Sequence, residues 1–353
     1  IPIDVRFMDN VNDLTYVTLK EQKENLINKR RIGLGILGYG SALIIMKKRY
    51  GSIEALKLTD ELMSFIANKA YQSSALLAKE KGSFLFFDEE KYLKSEYLKN
   101  LSDETKSLIK KYGMRNSHLL SVQPTGNSSI AANVASGGLE PVFLFEYIRT
   151  VIQPFAPDGL SIPTSVDWTS LTYTQTGNQD WKWIKEGDEN MLKTEFEGCI
   201  YKFDKGRGIL KESTVKDYGV RFLENIGEWD PNAEWAANIN NLKIDEHINT
   251  MKVISKYIDS AMSKTINLPN DYKYEDFKDV YLELYNSGTI KGGTTYRAGT
   301  MSAVLKSTEE VKQKVSKVRP EELKCKVEQF KNEKKDWIAL IGLLEDSPYE
   351  IFT

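Results

Sequence analysis

The sequence predicts a mixed α/β protein that ends in a small antiparallel β unit. Three observations support this fold class. Amphipathic helical segments alternate with short apolar segments along most of the chain, a turn rich in glycine and serine follows one apolar segment, and two segments of alternating polarity lie near the C-terminal end. With 353 residues, the chain can bury one large hydrophobic core or two ordinary ones.

The N-terminal part is predicted to be mainly helical. Residues 3–12 have the pattern of the end of a helix, and residues 20–31 form a strongly polar helix that ends in two arginines. A glycine-rich stretch, residues 33–41, separates them from residues 53–80. Apolar residues recur at helical spacing through this last segment, which is therefore predicted to be one long amphipathic helix.

The middle of the chain is predicted to alternate between strands and helices. Residues 119–122 are apolar and predict a buried strand that leads into the glycine- and serine-rich turn. The predicted elements after that turn are a loop over 154–182, a helix and turn within 207–230, helices over 244–262 and 275–287, and a strand over 292–297.

The sequence changes character after about residue 306. A charged helical segment, residues 308–318, precedes two alternating segments, 323–330 and 337–344, and a turn at 345–348. We therefore expect two parts, a main domain over residues 1–306 and a small extension over residues 307–353.

Composition excludes several functional classes. Hydrophobic residues make up 41% and charged residues 28% of the chain, and the net charge of -2 gives no electrostatic basis for binding nucleic acid or an anionic membrane. No apolar run reaches the length of a membrane span. The two cysteines support neither a disulfide framework nor a zinc site, so we expect no metal and a cytoplasmic location.

The most informative segment is Gln123-Pro-Thr-Gly-Asn-Ser-Ser-Ile130, which has the chemistry of a phosphate cradle. Pro124 directs the chain, Gly126 lets a ligand approach the backbone, and the three small polar residues that follow can cap a helix beginning at Ile130. Free N–H groups at the start of such a helix bind an anion without a lysine or arginine. The alternative is an ordinary capped helix after a strand, because such caps are common.

A second glycine motif, Gly33-Leu-Gly35-Ile-Leu-Gly38, matches the dinucleotide-binding fingerprint, and Glu54 lies at about the expected distance downstream. That fingerprint requires a buried strand before its first glycine, whereas residues 24–31 are highly charged. We therefore expect a helix packed closely around a glycine-rich turn, and no NAD.

A series of sequence blocks occurs in one order along the chain. They are Phe7-Met-Asp-Asn-Val11, Arg30-Arg-Ile-Gly-Leu-Gly-Ile-Leu-Gly38, Arg115-Asn-Ser-His-Leu-Leu120, Gln123-Pro-Thr-Gly-Asn-Ser-Ser129, Gly138-Leu-Glu-Pro141, Asp245-Glu-His247, Asp259-Ser-Ala-Met-Ser-Lys-Thr-Ile-Asn-Leu-Pro269 and Lys291-Gly-Gly-Thr-Thr-Tyr-Arg297. In this order, over roughly residues 5–305, they resemble the signature of ribonucleotide reductase catalytic subunits. Segments 319–323 and 348–352 resemble the extension found in the cobalamin-dependent class.

The resemblance implies a fold and a site. Members of this family form a ten-stranded α/β barrel from two half-barrels. The chain is therefore expected to supply the second half-barrel and a small C-terminal β extension, with residues 154–240 as a possible insertion. The cradle would bind the phosphates of the ribonucleotide substrate, Tyr296 would lie near the reacting centre, and residues 263–265 would shape the site or simply end a helix. The implied phosphate contacts are Thr125, Gly126, Asn127, Ser128 and Ser129.

The resemblance also implies a cofactor. Family members that receive their radical from an iron subunit share a Tyr-Tyr pair where this chain has Thr295-Tyr296. The absence of the pair favours the adenosylcobalamin-dependent class, in which homolysis of the cobalt–carbon bond supplies the radical locally. Two alternatives stay open: a fragment of an iron-subunit-dependent large subunit, and a nucleotide-binding remnant without radical chemistry.

The main departure from the family is the missing Asn-x-Cys-x-Glu loop, whose cysteine forms the thiyl radical that takes the 3′ hydrogen of the ribose. Cys199 and Cys325 match no catalytic setting in the family and are expected to be inert. The chain is therefore expected to be a C-terminal portion, either a natural split subunit or a fragment. An N-terminal chain would carry the loop, a thioredoxin-like protein would supply electrons, and this chain alone would be inactive.

Overall fold

The computed structural model describes residues 1–153, 163–167, 172–175, 184–185, 191–196, 199–204, 208–297, 305–307, 324–332, 335–344 and 347–352. The chain divides into two compact units. Unit 1 comprises Ile1–Thr150 and Ser213–Thr308, and unit 2 comprises Val151–Glu212 and Glu309–Thr353. The mixed α/β class is confirmed. The described residues form no closed barrel, and they do not establish a ten-stranded half-barrel.

All the helices that the described residues form lie in unit 1. They are α1 (Pro2–Leu14), α2 (Lys20–Lys29), α3 (Tyr39–Ile45), α4 (Ile53–Lys81), α5 (Glu89–Leu93), a 3₁₀ turn (Glu96–Asn100), α6 (Asp103–Tyr112), α7 (Gly126–Ala131), α8 (Tyr218–Asn225), α9 (Ile244–Ser255) and α10 (Tyr274–Asn286). Ser52 and Ser102 cap α4 and α6, each accepting a hydrogen bond from a first-turn N–H group. None of these helices combines the length and the apolarity that crossing a membrane requires.

The strands are mostly short. They are β1 (Glu146–Gln153), β2 (Pro163–Asp167), β3 (Thr172–Gln175), β4 (Ile184–Lys185), β5 (Met191–Phe196), β6 (Cys199–Asp204), β7 (Gly208–Lys216), β8 (Thr265–Leu268), β9 (Thr294–Arg297), β10 (Leu305–Ser307), β11 (Lys324–Asn332), β12 (Lys335–Leu344) and β13 (Ser347–Phe352).

Strand pairing differs between the units. In unit 1, β8 pairs in parallel with β9, Thr265 opposite Thr294, and β1 pairs antiparallel with β10. In unit 2, β4 pairs with β5, β5 with β6, and β6 with the first half of β7, all antiparallel. The pair β2–β3 and the three-stranded sheet β11–β12–β13 are also antiparallel.

Short parallel segments of unit 1 position the candidate site. Residues 32–34 run parallel to residues 119–121, and Val122 lies opposite Met262 on the next parallel segment. That segment continues into β8, which pairs with β9. Because parallel segments end at the same edge, the residues after Val122 and those at the end of β9 lie on one edge of this array.

The Asp259 carboxylate holds the start of the segment that leads to the cradle. Its oxygens accept hydrogen bonds from the backbone N–H groups of Leu119 at 2.7 Å and Leu120 at 3.0 Å. Tyr71, on the buried face of α4, donates its O–H to the same carboxylate at 2.7 Å. A carboxylate with three donors is a strong and directional contact, so it fixes this segment against α4.

A hydrophobic core forms around α4 in unit 1. The side chains of Met63, Ala67 and Ala75 on α4 pack in one cluster with Ile109 of α6 and with the apolar residues of segment 119–122. A second cluster joins α9, β8 and α10. Together they place the parallel segments on a helical layer.

A buried ionic network ties α1 to segments far along the chain. Asp9 is fully buried; Arg30 Nε donates to Asp9 Oδ1 at 2.8 Å, and Arg115 Nε donates to Oδ2 at 3.1 Å. Asn116 Nδ2 donates to Asp9 Oδ1 at 3.1 Å. Burial raises the pKa of Asp9, but the hydrogen bonds from Arg30 and Arg115 outweigh it and hold the pKa below its ordinary value.

Several predicted elements are confirmed. The helices expected over 3–12, 20–31, 53–80 and 275–287 correspond to α1, α2, α4 and α10, and the strand expected over 292–297 is β9. The alternating segments 323–330 and 337–344 correspond to β11 and β12. The charged segment 308–318 lies outside the described residues.

Other predictions are wrong for identifiable reasons. The helix expected over 244–262 ends at Ser255, because the apolar residues beyond it join the parallel array instead. The expected loop over 154–182 contains β2 and β3, and the first part of 207–230 is the strand β7. The strand β13 follows the C-terminal turn and was not expected. Strand β2 pairs with β3, β7 with β6 and β13 with β12, each across a short connection. Strand formation depends on such pairing more than on the pattern of one segment.

We expect Asp9→Ala to lower the free energy of unfolding by about 3–5 kcal/mol, because it leaves two largely buried arginines without their shared partner. Chemical denaturation would measure the change. The control is Asp4→Ala, also on α1, where the aspartate side chain is 59% exposed. That substitution should cost less than about 1 kcal/mol. Equal effects of the two substitutions would contradict the role of the network.

Candidate functional site

The cradle begins where the chain leaves the parallel array after Val122. Thr125 adopts the left-handed conformation, with φ of 48°, and α7 starts at the next residue. The expected helix start at Ile130 is therefore wrong by one turn. Asn127, Ser128 and Ser129 lie in the first turn of α7 and do not cap it, because the reversal at Thr125 starts the helix early.

A glycine pair supports this turn from behind. Gly138 N donates a hydrogen bond to Thr125 Oγ1 at 2.7 Å, so the Thr125 side chain holds the turn and does not cap α7. A Cβ on Gly138 would lie 2.5 Å from the carbonyl oxygen of Gln123, and one on Gly137 would lie 2.6 Å from that of Pro124. Gly138 also has positive φ. Only glycine fits this close backbone contact.

The front of the cradle is open. Gly126, Asn127 and Ser128 are exposed, and a Cβ on Gly126 would meet no atom within 4 Å. N–H groups in the first turn of a helix have no partner within the helix, so these groups are available to an anion. Ser129 differs: it is buried, and its O–H donates to the Gly126 carbonyl at 2.9 Å.

A buried polar cluster lies behind the glycine pair. Lys264 Nζ lies 2.6 Å from Glu140 Oε2 and 2.9 Å from His247 Nδ1, and it also donates to the carbonyl of Thr265. Glu140 Oε1 accepts a hydrogen bond from Thr265 N at 2.7 Å. The Lys264 side chain has no solvent exposure. Three acceptors around Nζ match the three donors of an ammonium group.

The environment of this cluster sets its protonation. Burial lowers the pKa of Lys264, and the Glu140 carboxylate opposes that effect. Burial, and then the charge of Lys264, lowers the pKa of His247 to about 3. His247 is therefore neutral, with Nδ1 accepting from Lys264 and the proton on Nε2, which is buried and has no hydrogen-bond partner among the residues that the structure describes.

Tyr296 lies on β9, opposite Asn267 of β8. It is half-buried, and one parallel segment, which contains Met262 and β8, lies between its strand and the one that precedes the cradle, a distance of roughly 10 Å across the array. The structure therefore brings residues 125–129 together and puts Tyr296 at the same edge. Residues 263–265 do not form a helix end: they enter β8, and Lys264 is part of the buried cluster.

The glycine motif at residues 33–38 has a structural role. Helix α2 precedes it instead of a strand, which agrees with setting aside the dinucleotide fingerprint. The expected packing of helices around this stretch agrees with the structure at Ile36, which packs against buried residues of α3 and α4. Leu34 pairs with Leu120, and Cβ atoms on Gly33 and Gly35 would lie within 2.5 Å of Ser121 or Gln123 atoms, because the two segments run side by side in the parallel array.

Sequence reasoning missed the cluster of Glu140, His247 and Lys264. Each residue lies in one of the ordered blocks, but only the fold brings them together. Cys199 lies on β6 and Cys325 on β11, both in unit 2. Within the described ranges, no group of histidine, cysteine, aspartate and glutamate residues is arranged to hold a metal ion.

Comparison with known proteins identifies relatives. The chain matches the family model described as ribonucleotide reductase, barrel domain, over residues 1–157 and 228–296. Residues 323–353 match a model described as NrdJ homologue C-terminal domain. These matches confirm the resemblance drawn from the ordered blocks.

Individual relatives agree with the family match. The vitamin B12-dependent ribonucleoside-diphosphate reductase of Mycobacterium tuberculosis is 24% identical over 304 residues, which cover 84% of this chain and 35% of the relative. The corresponding enzyme of Thermoplasma acidophilum is 26% identical over 309 residues, 87% of this chain and 34% of the relative. The ribonucleoside-diphosphate reductase subunit alpha of Chlamydia pneumoniae is 30% identical over 172 residues, 42% of this chain and 16% of the relative. The chain thus spans about a third of the length of the B12-dependent relatives.

The neutral state of His247 predicts a pH effect. Its pKa is about 3 in the folded protein and 6.5 in the unfolded chain, so acid protonates the unfolded chain first and favours unfolding. We expect protonation of His247 in the unfolded chain to lower the free energy of unfolding by about 2 kcal/mol as the pH falls from 6.5 to about 4.5. His247→Asn keeps an acceptor for Lys264 and should lose this component of the pH slope in denaturation experiments. The control is His118→Gln. Burial also lowers the pKa of His118, but less than that of His247, so this variant should keep the larger part of the slope. An unchanged slope in His247→Asn would contradict the assignment.

Proposed function

The chain belongs to the ribonucleotide reductase barrel-domain family, and on this basis we propose that it supplies the substrate-phosphate site of an enzyme that converts ribonucleotides to 2′-deoxyribonucleotides. The observation that carries the proposal is the exposed first turn of α7. Gly126, Asn127 and Ser128 present uncapped N–H groups there, and Gly126 leaves room for a ligand. A phosphate can approach this turn without displacing protein atoms.

The five predicted cradle residues would have two roles. Gly126, Asn127 and Ser128 would contact phosphate oxygens through backbone N–H groups and short polar side chains. Thr125 and Ser129 would hold the turn, through the Gly138 and Gly126 hydrogen bonds. Because α7 is short, local hydrogen bonds would contribute more to affinity than a helix dipole.

The sugar of a bound nucleotide would extend along the edge of the parallel array. Tyr296 lies at this edge on β9, which supports its proposed place near the reacting centre. Its side chain would form one wall of the ribose site.

The proposed cofactor is adenosylcobalamin. Two relatives are named as vitamin B12-dependent, and Thr295 stands beside Tyr296 where a relay of two tyrosines would need a second ring. When bound, this cofactor supplies a radical by homolysis of its cobalt–carbon bond. No group of described residues identifies its site, so this proposal depends on the relatives and on the absence of the tyrosine pair at Thr295-Tyr296.

The radical-forming cysteine is proposed to lie on a missing or separate N-terminal chain. The chain spans about a third of its B12-dependent relatives, and neither of its cysteines stands in an Asn-x-Cys-x-Glu sequence. In this proposal residues 1–306 are barrel, with 154–240 as an insertion, and residues 307–353 are an extension. A thioredoxin-like reductant and a cytoplasmic location belong to the same proposal.

A charge in the cradle tests phosphate binding. Ser128→Asp adds a carboxylate to the first turn of α7, which favours the helix but repels phosphate. We expect its affinity for a ribonucleoside diphosphate to fall at least about tenfold in calorimetric titration, a change of about 1.4 kcal/mol. Ser107→Asp adds the same charge to an exposed position of α6 and should bind like the unmodified protein. Equal affinities in both variants would refute the cradle.

Reconstitution tests whether this chain needs a separate N-terminal chain for activity. The chain alone should form no deoxynucleotide, whereas mixing it with an N-terminal reductase chain, adenosylcobalamin and a dithiol reductant should give product, measured by chromatography. Product from the chain alone would show that the proposal is wrong. A requirement for an iron subunit in place of adenosylcobalamin would instead establish the iron-dependent alternative.

A further inference from the structure

We propose that Lys264 is a positioning residue for the cradle: through Glu140 it fixes the glycine pair on which the phosphate-binding turn is built. Lys264 does not touch the cradle itself. Its ammonium group is enclosed by acceptors, with Glu140 Oε2 at 2.6 Å and His247 Nδ1 at 2.9 Å. The effect of this contact on substrate binding rests on the proposed function, but the series of contacts from Lys264 through Glu140 to Thr125 does not.

The Glu140 carboxylate joins two segments. One oxygen binds Lys264, and the other accepts the backbone N–H of Thr265 at 2.7 Å, at the start of β8. The backbone N–H of Glu140 donates to the Gly137 carbonyl at 2.7 Å. Glu140 therefore fixes the end of the glycine segment to the edge of the parallel array.

The glycine segment in turn determines the cradle. Gly138 N donates to Thr125 Oγ1 at 2.7 Å, and Gly137 and Gly138 lie against the Pro124 and Gln123 carbonyls too closely for any side chain. A shift of Glu140 is thus transmitted through two residues to the left-handed turn at Thr125. On the other side, Tyr50 O–H donates to the Leu139 carbonyl at 2.8 Å and limits movement away from the array.

A buried ion pair is a poor way to gain stability, because removing two charges from water costs much of what their attraction returns. Apolar or neutral replacements of both partners are often tolerated, whereas loss of one partner leaves an unpaired charge. What the pair adds here is direction: the carboxylate has one orientation in which it satisfies both Lys264 and Thr265 N. The pair therefore serves geometry more than stability.

The test is hydrogen exchange in the double variant Lys264→Met/Glu140→Gln, which removes both charges. We expect a denaturation midpoint close to that of the unmodified protein, but at least about tenfold faster exchange of the Gly138 amide, which binds Thr125. The control is Lys252→Met/Glu283→Gln, which removes an ion pair of the same length between α9 and α10 and should leave Gly138 unchanged. If the double variant folds and the exchange rate of its Gly138 amide is unchanged, the proposal is overturned.

Two further measurements keep the outcome clear. If the double variant does not fold, Lys264→Met alone leaves a Glu140 carboxylate that is 25% exposed and still accepts from Thr265 N. This variant should accelerate Gly138 exchange to a smaller extent, and unaltered Gly138 exchange in it would refute the proposal. Affinity for a ribonucleoside diphosphate should fall at least about tenfold in the folded double variant. If Gly138 exchange accelerates while the unmodified protein binds no nucleotide, the proposed function fails and the positioning role stands. If nucleotide binds equally to both proteins, the positioning role fails alone.

Discussion

The carboxylate of Asp259 is the contact on which the rest of unit 1 depends. It accepts hydrogen bonds from two successive N–H groups, of Leu119 and Leu120, and from the Tyr71 O–H of α4. In a parallel array, a slip of one residue would turn every side chain of the segment to the opposite face. By fixing this register, Asp259 determines where the chain leaves the array after Val122, and therefore where the cradle starts.

The sequence predicted elements whose signal is local. The periodicity of α4 and α10 and the alternation of β11 and β12 come from faces that each element buries by itself. Prediction from the sequence failed where pairing with residues distant along the chain determines the structure. Residues 257–262 continue an apolar pattern after α9, but their backbone pairs with segment 119–122 instead of extending the helix. A helix does follow the predicted glycine- and serine-rich turn, yet its start depends on Thr125, whose reversed backbone is held by Gly138 thirteen residues away.

The ordered blocks that carry the resemblance mostly build the scaffold. Asp9, Arg30, Arg115 and Asn116 belong to three different blocks and meet in one buried network. Glu140, His247 and Lys264 come from three others. Buried charges of this kind tolerate few substitutions, because each requires its partner. The residues that would contact substrate are, by contrast, few, small and exposed.

The glycines of the cradle divide into two kinds. Gly137 and Gly138 are required by the fold, since a methyl group on either would collide with a carbonyl oxygen. Gly126 has free space around it and an ordinary backbone conformation, so the fold does not require glycine there. Alanine at that helical position would favour the folded state by roughly 0.5–1 kcal/mol. A library screened only for thermal resistance would therefore accumulate replacements at Gly126 and spare Gly137 and Gly138, exposing a trade-off between robustness and ligand access.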